Sequence, residues 1–172
     1  VPLNRSRQML LPRPLTLAID RLPVALVQRV VVGAFHRALK QHPDLFDRLG
    51  NEAKKRFCFA PTDLDLVFLV HPESRFIRTF RKASTPRAAA SISGPMLTLL
   101  ALLEGRIDGD AVFFSRSLSV TGDMEAMLAL RNALDDCSFD LPRDLAGMAG
   151  PLAVPFQRVT EGIRHRALKG LA

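Results

Sequence analysis

The sequence predicts an α+β domain, a largely antiparallel five-stranded sheet with helices packed on one face around an apolar tunnel. Three observations carry that prediction. Short segments between Arg56 and Ser93 alternate apolar and polar residues and are separated by turn residues, as half-buried strands are. A helix beginning at Met96 is apolar on almost every side, and the stretch from Asp108 to Cys137 reads as a strand, a Gly-Asp turn and an amphipathic helix. A chain of 172 residues that is 48% hydrophobic can bury one good core, so one domain with appended segments is expected.

Pro2, Pro12, Pro14 and Pro23 forbid a long helix at the N-terminus, leaving room for a short one between Leu15 and Leu22. From Val24 to Lys40 the polar residues Arg29, Gly33, His36, Arg37 and Lys40 fall on one narrow stripe, which predicts a helix with a wide apolar face. That face fits packing on the core or contact with a membrane. Pro43 to Leu49 reads as a short helix ended by Gly50. Strands follow at Arg56 to Ala60, Leu64 to Val70, Phe76 to Arg81 and Arg87 to Ser93, the third interleaved with polar residues and so less buried. The short turns at Thr62-Asp63 and His71 to Ser74 make the first three an antiparallel meander.

Gly94-Pro95 opens the helix at Met96 and Gly105 ends it, with only Thr98 and Glu104 polar between them. A helix of about ten residues is roughly 15 Å long, half of what a bilayer core requires. It is therefore buried all round or lines an apolar cavity. Val112, Phe114, Leu118 and Val120 then alternate as a strand buried on one face, an alternation that Arg116 breaks. Gly122 and Asp123 stop the strand, and Asp123 is placed to cap a helix in which Met124, Met127, Leu128, Leu130 and Leu134 recur at helical spacing. Ser138 to Gly150 is punctuated by glycine and proline, and Pro151 to Ala172 closes the chain as a basic helix with Phe156, Val159, Ile163, Ala167 and Leu171 on one face. Such a helix suits a membrane interface or a docking contact equally.

The run from Phe114 through Ser117-Leu118-Ser119-Val120-Thr121-Gly122 to Asp123, followed by Leu130-Arg131-Asn132-Ala133-Leu134-Asp135, resembles the signature of sterol-carrier-protein type lipid-binding domains. It is most similar to the bacterial accessory factors of oxygen-independent ubiquinone biosynthesis, in which a Phe and Arg strand, a Gly-Asp turn and an Asn-x-Leu-Asp helix end occur together. The likeness covers roughly Leu45 to Asp140. It implies three parts: a basic Pro-rich segment and apolar helix over 1–40, a lipid-binding domain over 41–140, and a loop with a basic helix over 141–172. It further implies a polyprenylated ubiquinone precursor, or a phospholipid, as ligand and iron-sulfur hydroxylases of the same pathway as partners. The residues placed to line the tunnel are Phe68, Met96, Leu97, Leu100, Leu103, Phe114, Leu118, Val120 and Met127. Arg116 would face a head group if it points inward, and is a solvated sheet residue if it points outward.

The net charge of +7 raises nucleic acid as the rival partner. The excess sits at the two ends, in Arg5, Arg7, Arg13, Arg21, Arg29, Arg37 and Lys40 and in Arg158, Arg164, Arg166 and Lys169, while acids slightly outnumber bases between them. With no Trp or Tyr for stacking, basic ends beside apolar helical faces fit an anionic membrane surface better, at about 1 kcal/mol per cation near the head groups. Two cysteines, Cys58 and Cys137, make neither a disulfide framework nor a zinc site, which points to a reducing compartment. Without a signal peptide or a spanning apolar run, the expectation is a cytoplasmic protein, peripheral on the inner membrane at most. The chain opens on Val1, so a further N-terminal piece is expected.

No catalytic constellation, metal site or cofactor motif assembles. His36, His42, His71 and His165 are scattered, and no HExxH, Walker or dinucleotide fingerprint is present. The paired carboxylates Asp63 with Asp65, Asp108 with Asp110 and Asp135 with Asp136 fall at turns and helix ends, where aspartate serves geometry. Cys58, between two phenylalanines, reads as a buried structural thiol. An enzyme acting on an acyl chain would need an acid-base pair that the sequence does not display. Phe, Leu and five methionines instead suit a pocket that holds an isoprenoid or acyl chain by burial, at about 25 cal/mol per Å².

Overall fold

The computed structural model describes residues 10–103 and 118–135. Within them the chain runs α1 (Arg13–Arg21), α2 (Val24–Gln41), a 3-10 helix (Asp47–Lys54), β1 (Phe57–Pro61), β2 (Val67–His71), β3 (Phe76–Phe80), a 3-10 turn (Lys82–Ser84), β4 (Ala90–Gly94), α3 (Met96–Leu103), β5 (Ser119–Gly122) and α4 (Met124–Asp135). The strands form one five-stranded sheet in the order β3-β2-β1-β4-β5. β1, β2 and β3 are the expected antiparallel meander, and β5 is antiparallel to β4. The β1 to β4 pairing is parallel, because the chain crosses from the far edge at β3 back past β1 before β4 begins.

Register divides the side chains between two faces. Phe57 pairs with Val70 and Ala90, and Phe59 with Phe68 and Ile92, so these residues share the inner face with Ile77, Thr79 and Val120. The helices cover that face. One buried cluster joins Phe57, Val70, Ala90, Ile92 and Leu118 to Leu39 of α2, Leu45, Phe46 and Leu49 of the following turn, Leu99 of α3, and Ala126, Met127, Leu130 and Ala133 of α4. A second gathers Leu64, Leu66 and Phe68 with Ile19, Val27, Val31 and Met96. Phe59 and Ile77 pack against both, so the two clusters are one continuous apolar layer.

Several element boundaries differ from the sequence expectation for local reasons. The short helix expected to end at Gly50 is a 3-10 helix that starts at Asp47 and continues to Lys54, with Gly50 kinking it at φ +52°. The β2 ladder starts at Val67 rather than Leu64, and Leu64 and Leu66 are buried in irregular backbone beneath α1 and α2. Val67 and Leu69 are buried too, on the outer face beside Cys58, so β2 is covered on both sides and its alternation is not a simple inside and outside pattern. β4 begins only at Ala90, and β3 is the less buried strand anticipated, with Phe76 and Arg78 exposed.

The outer edge of β3 is closed by α2. The Gln28 side chain, which lies off the polar stripe of that helix, donates Nε2–H to the Ile77 carbonyl at 2.8 Å and accepts the Thr79 N–H on Oε1 at 2.6 Å. Those are the two backbone groups a further strand would have used, so the helix stands in for a strand and blunts the edge. Arg81 adds a bond from Nη2 to the Leu22 carbonyl at the α1 to α2 junction, 2.6 Å long. Gln28→Ala is expected to leave the partly buried Thr79 N–H unpaired and to cost about 1–3 kcal/mol. Urea denaturation reads the loss, and amide exchange at Thr79 should accelerate more than at Cys58.

Candidate functional site

The Gly122-Asp123 turn joins β5 to α4. Gly122 has φ +89°, and a Cβ there would lie 2.3 Å from the Ala89 carbonyl oxygen, so only glycine fits the pairing with β4. Asp123 donates its own N–H to that same carbonyl at 2.9 Å. Its Oδ1 accepts the N–H groups of Glu125 at 3.1 Å and Ala126 at 3.0 Å, the N-terminal cap anticipated from sequence. Its Oδ2 lies 2.7 Å from Lys55 Nζ, which also reaches Glu52 at 2.6 Å. The Lys55 hydrogen bond, the Ala126 and Glu125 N–H groups and the lysine charge hold the Asp123 carboxyl below the usual aspartate range. The same two carboxylates push Lys55 up. The turn is thus an architectural joint, and the 3-10 helix is tied through Lys55 to the start of α4.

A second carboxylate organises the opposite end. Asp63, in the β1 to β2 turn, accepts the Met96 N–H on Oδ1 at 2.8 Å, capping α3 from a distance, and the Leu11 N–H on Oδ2 at 3.1 Å. Asp65 receives the Lys82 N–H, and its own N–H goes to Asp20 Oδ1 at 2.9 Å. Both aspartates therefore serve backbone geometry, as their turn positions suggested. Burial pushes the Cys58 thiol up, which suits a structural thiol. Among the described residues no three His, Cys, Asp or Glu side chains gather as metal ligands would, and no helix is long and apolar enough to cross a membrane.

The residues expected to line a tunnel fall into groups. Leu118 and Met127 are buried in the larger cluster with Val120 packed against it, and Phe68 is buried in the smaller cluster with Met96 against it. α3 spans both, giving Met96 to one and Leu99 and Leu102 to the other. Leu97, Leu100 and Leu103 are half-buried and belong to neither cluster. Phe114 and Arg116 lie outside the described residues, as do Cys137, His165 and the basic C-terminal segment. Sequence reasoning missed Leu39, Leu45, Phe46, Leu49 and Leu99, which complete the helical side of the larger cluster. Leu39, Leu45, Phe46 and Leu49 were visible as apolar residues on either side of Pro43 and Leu99 as part of the apolar helix from Met96, but their convergence on Phe57 is tertiary.

A mixed sheet in this order, with four helices among the described residues on its apolar face and an α3 that bridges two joined clusters, is the architecture of small lipid-carrier domains. The model of the SCP-2 sterol transfer family matches residues 35–135, from the second half of α2 through α4, and the chain belongs to that family. Among solved structures it is similar to a ubiquinone synthesis protein, UbiJ-SCP2, at 17% identity and a TM-score of 0.54, covering 70% of this chain and 98% of that one. It is also similar to the apo form of sterol carrier protein 2 from Yarrowia lipolytica, at 13% identity and a TM-score of 0.45, covering 64% and 91%. No protein of curated function matches the sequence.

Asp123→Ala removes the cap and the Lys55 bridge together. The melting temperature should fall by several degrees, with no change in which lipid co-purifies. Because the Asp123 pKa is depressed on folding, its stabilising contribution is complete above the unfolded aspartate range and is lost as pH falls through the folded value, below about pH 4. The difference in melting temperature between wild type and variant should therefore be constant near neutrality and close at acid pH.

Proposed function

We propose that the protein is a lipid-binding accessory factor that holds a polyprenylated ubiquinone precursor, or a phospholipid, and presents it to iron-sulfur hydroxylases in oxygen-independent ubiquinone biosynthesis. The observation that carries the lipid reading is the family match over 35–135, which spans the apolar layer between helices and sheet. Leu97, Leu100 and Leu103 of α3 support it, since three half-buried leucines outside the packed clusters leave apolar surface for a ligand chain to cover. The Gly122-Asp123 turn with Asn132, Leu134 and Asp135 supports the branch, as does the likeness to a solved protein of ubiquinone synthesis.

Leu100→Lys places a charge on that surface without entering either cluster. The variant should keep its far-UV circular dichroism and lose the lipid that mass spectrometry finds in extracts of the wild type. Retention of the lipid by a folded variant would overturn the site, and a wild type that carries no lipid would overturn the function.

Contact with an anionic membrane belongs to the same reading, because a carrier has to load its ligand. Leu17, Leu22, Leu26 and Val30 of the α1 and α2 region are 40–55% exposed, unusually open for large apolar residues. Arg21 and Arg29 are exposed beside them, the arrangement of a helix lying in a membrane interface. Co-sedimentation with phosphatidylglycerol vesicles is expected to weaken with salt as the Debye length shortens from about 10 Å at 0.1 M to about 3 Å at 1 M. The double substitution Leu26→Glu with Val30→Glu should abolish it, and equal sedimentation with neutral vesicles would remove the membrane from the proposal.

A further inference from the structure

The sheet face opposite the helices carries a second feature. A solvent-open groove of about 580 Å³ crosses it, lined by Arg56, Leu69, His71, Ser74, Phe76, Arg78, Phe80 and Pro86. Phe76, Arg78 and Phe80 alternate along β3 and so project to one side, with the Arg78 guanidinium 5.9 Å from the centroid of each ring. Flanking rings hold the guanidinium in place while its N–H edges remain for a planar acceptor. Arg56 and Arg78 are exposed, and neither has an ion-pair partner among the described residues. Among the described residues no acidic side chain lines the groove.

Two guanidiniums, an imidazole and a strip of Leu69, Phe76, Phe80 and Pro86 call for an occupant that is anionic and partly apolar. We propose that this groove docks an acidic, apolar-flanked peptide segment of a partner protein, its carboxylates on Arg78 and Arg56 and an apolar side chain against Phe76. Charge complementarity selects the carboxylate, which the guanidinium fork meets in a bidentate pair. The shape selects a chain segment, because a groove open along its length would leave a small molecule largely in water. A nucleic-acid strand fits less well. Its stacking track needs aromatics on successive strands, whereas β2 offers Leu69 and His71 beside β3 and β1 offers Cys58. A membrane is disfavoured because, among the described residues, Phe76 is the one large apolar side chain of the groove that is widely exposed, at 44%.

This inference rests on the reading that the protein presents its lipid to partners, and it places the partner on the face away from α1 and α2. The test uses the full chain and a fluorescein-labelled octapeptide alternating glutamate with leucine, followed by fluorescence anisotropy. The matched lysine-leucine peptide, a short oligouridylate and phosphatidylglycerol vesicles serve as competitors. Binding of the acidic peptide should be salt-sensitive and should weaken about tenfold or more in Arg78→Glu, and by less in Arg78→Lys, which keeps the charge and loses the fork. Phe76→Ser should weaken it as well. Both positions changed, Phe76 and Arg78, are exposed, and circular dichroism confirms folding. Unchanged binding in Arg78→Glu, or displacement of the peptide by oligouridylate or vesicles at lower concentration than by unlabelled peptide, would overturn the proposal. Arg78→Glu should still co-purify lipid and Leu100→Lys should still bind the peptide, so failure of the docking groove and failure of the lipid site are read separately.

Discussion

The approach of Gly122 to the Ala89 carbonyl is the contact around which the C-terminal half of the described fold is assembled. A side chain at that position would meet the oxygen at 2.3 Å, so the absence of one lets β5 finish against β4 and lets the next residue begin a helix. Asp123 then occupies three roles: its backbone N–H returns to Ala89, and the two oxygens of its short side chain cap α4 and hold Lys55. Helix, sheet edge and 3-10 helix therefore meet within one turn. The position of Met127, Leu130 and Ala133 over the inner sheet face follows from that joint, because a helix cap fixes the direction in which the helix leaves the strand.

At the other edge the same problem, unpaired backbone at the end of a sheet, is solved by a side chain. Gln28 offers an amide carbonyl and an amide N–H, the same pair of groups a neighbouring strand would present. The helix bearing it is consequently held against β3 by polar contacts at its flank and by Val27 and Val31 beneath. This leaves Leu26 and Val30 facing outward, and the surface proposed for the membrane is a result of how the edge is closed.

The two faces of the sheet differ in chemistry as well as in cover. Inside, Phe57, Phe59, Phe68, Val70, Ile77 and Ile92 build an apolar layer completed by helices. Outside, β4 and β5 present Ser91, Ser93, Ser119 and Thr121, while β3 presents Phe76, Arg78 and Phe80. The proposed lipid surface lies on the first and the proposed docking groove on the second, with the sheet between them.

Sequence alone was enough for the fold class, the order of the described helices and strands, the antiparallel meander and the Asp123 cap, because each of these is written in local periodicity or in a turn residue next to the element it ends. Leu118 and Met127 were legible as buried, with Val120 half-buried against them, for the same reason. The parallel pairing of β1 with β4 was not, since nothing in either strand records which neighbour it will find. Nor was the role of Gln28, Lys55 or Asp63, whose partners lie at Ile77 and Thr79, at Asp123 and at Met96. Leu97, Leu100 and Leu103 look like Leu99 in a sequence, and only the orientation of α3 on the sheet separates half-buried leucines from the core one. Burial of that kind depends on contacts between residues far apart in the chain, which local patterning does not encode.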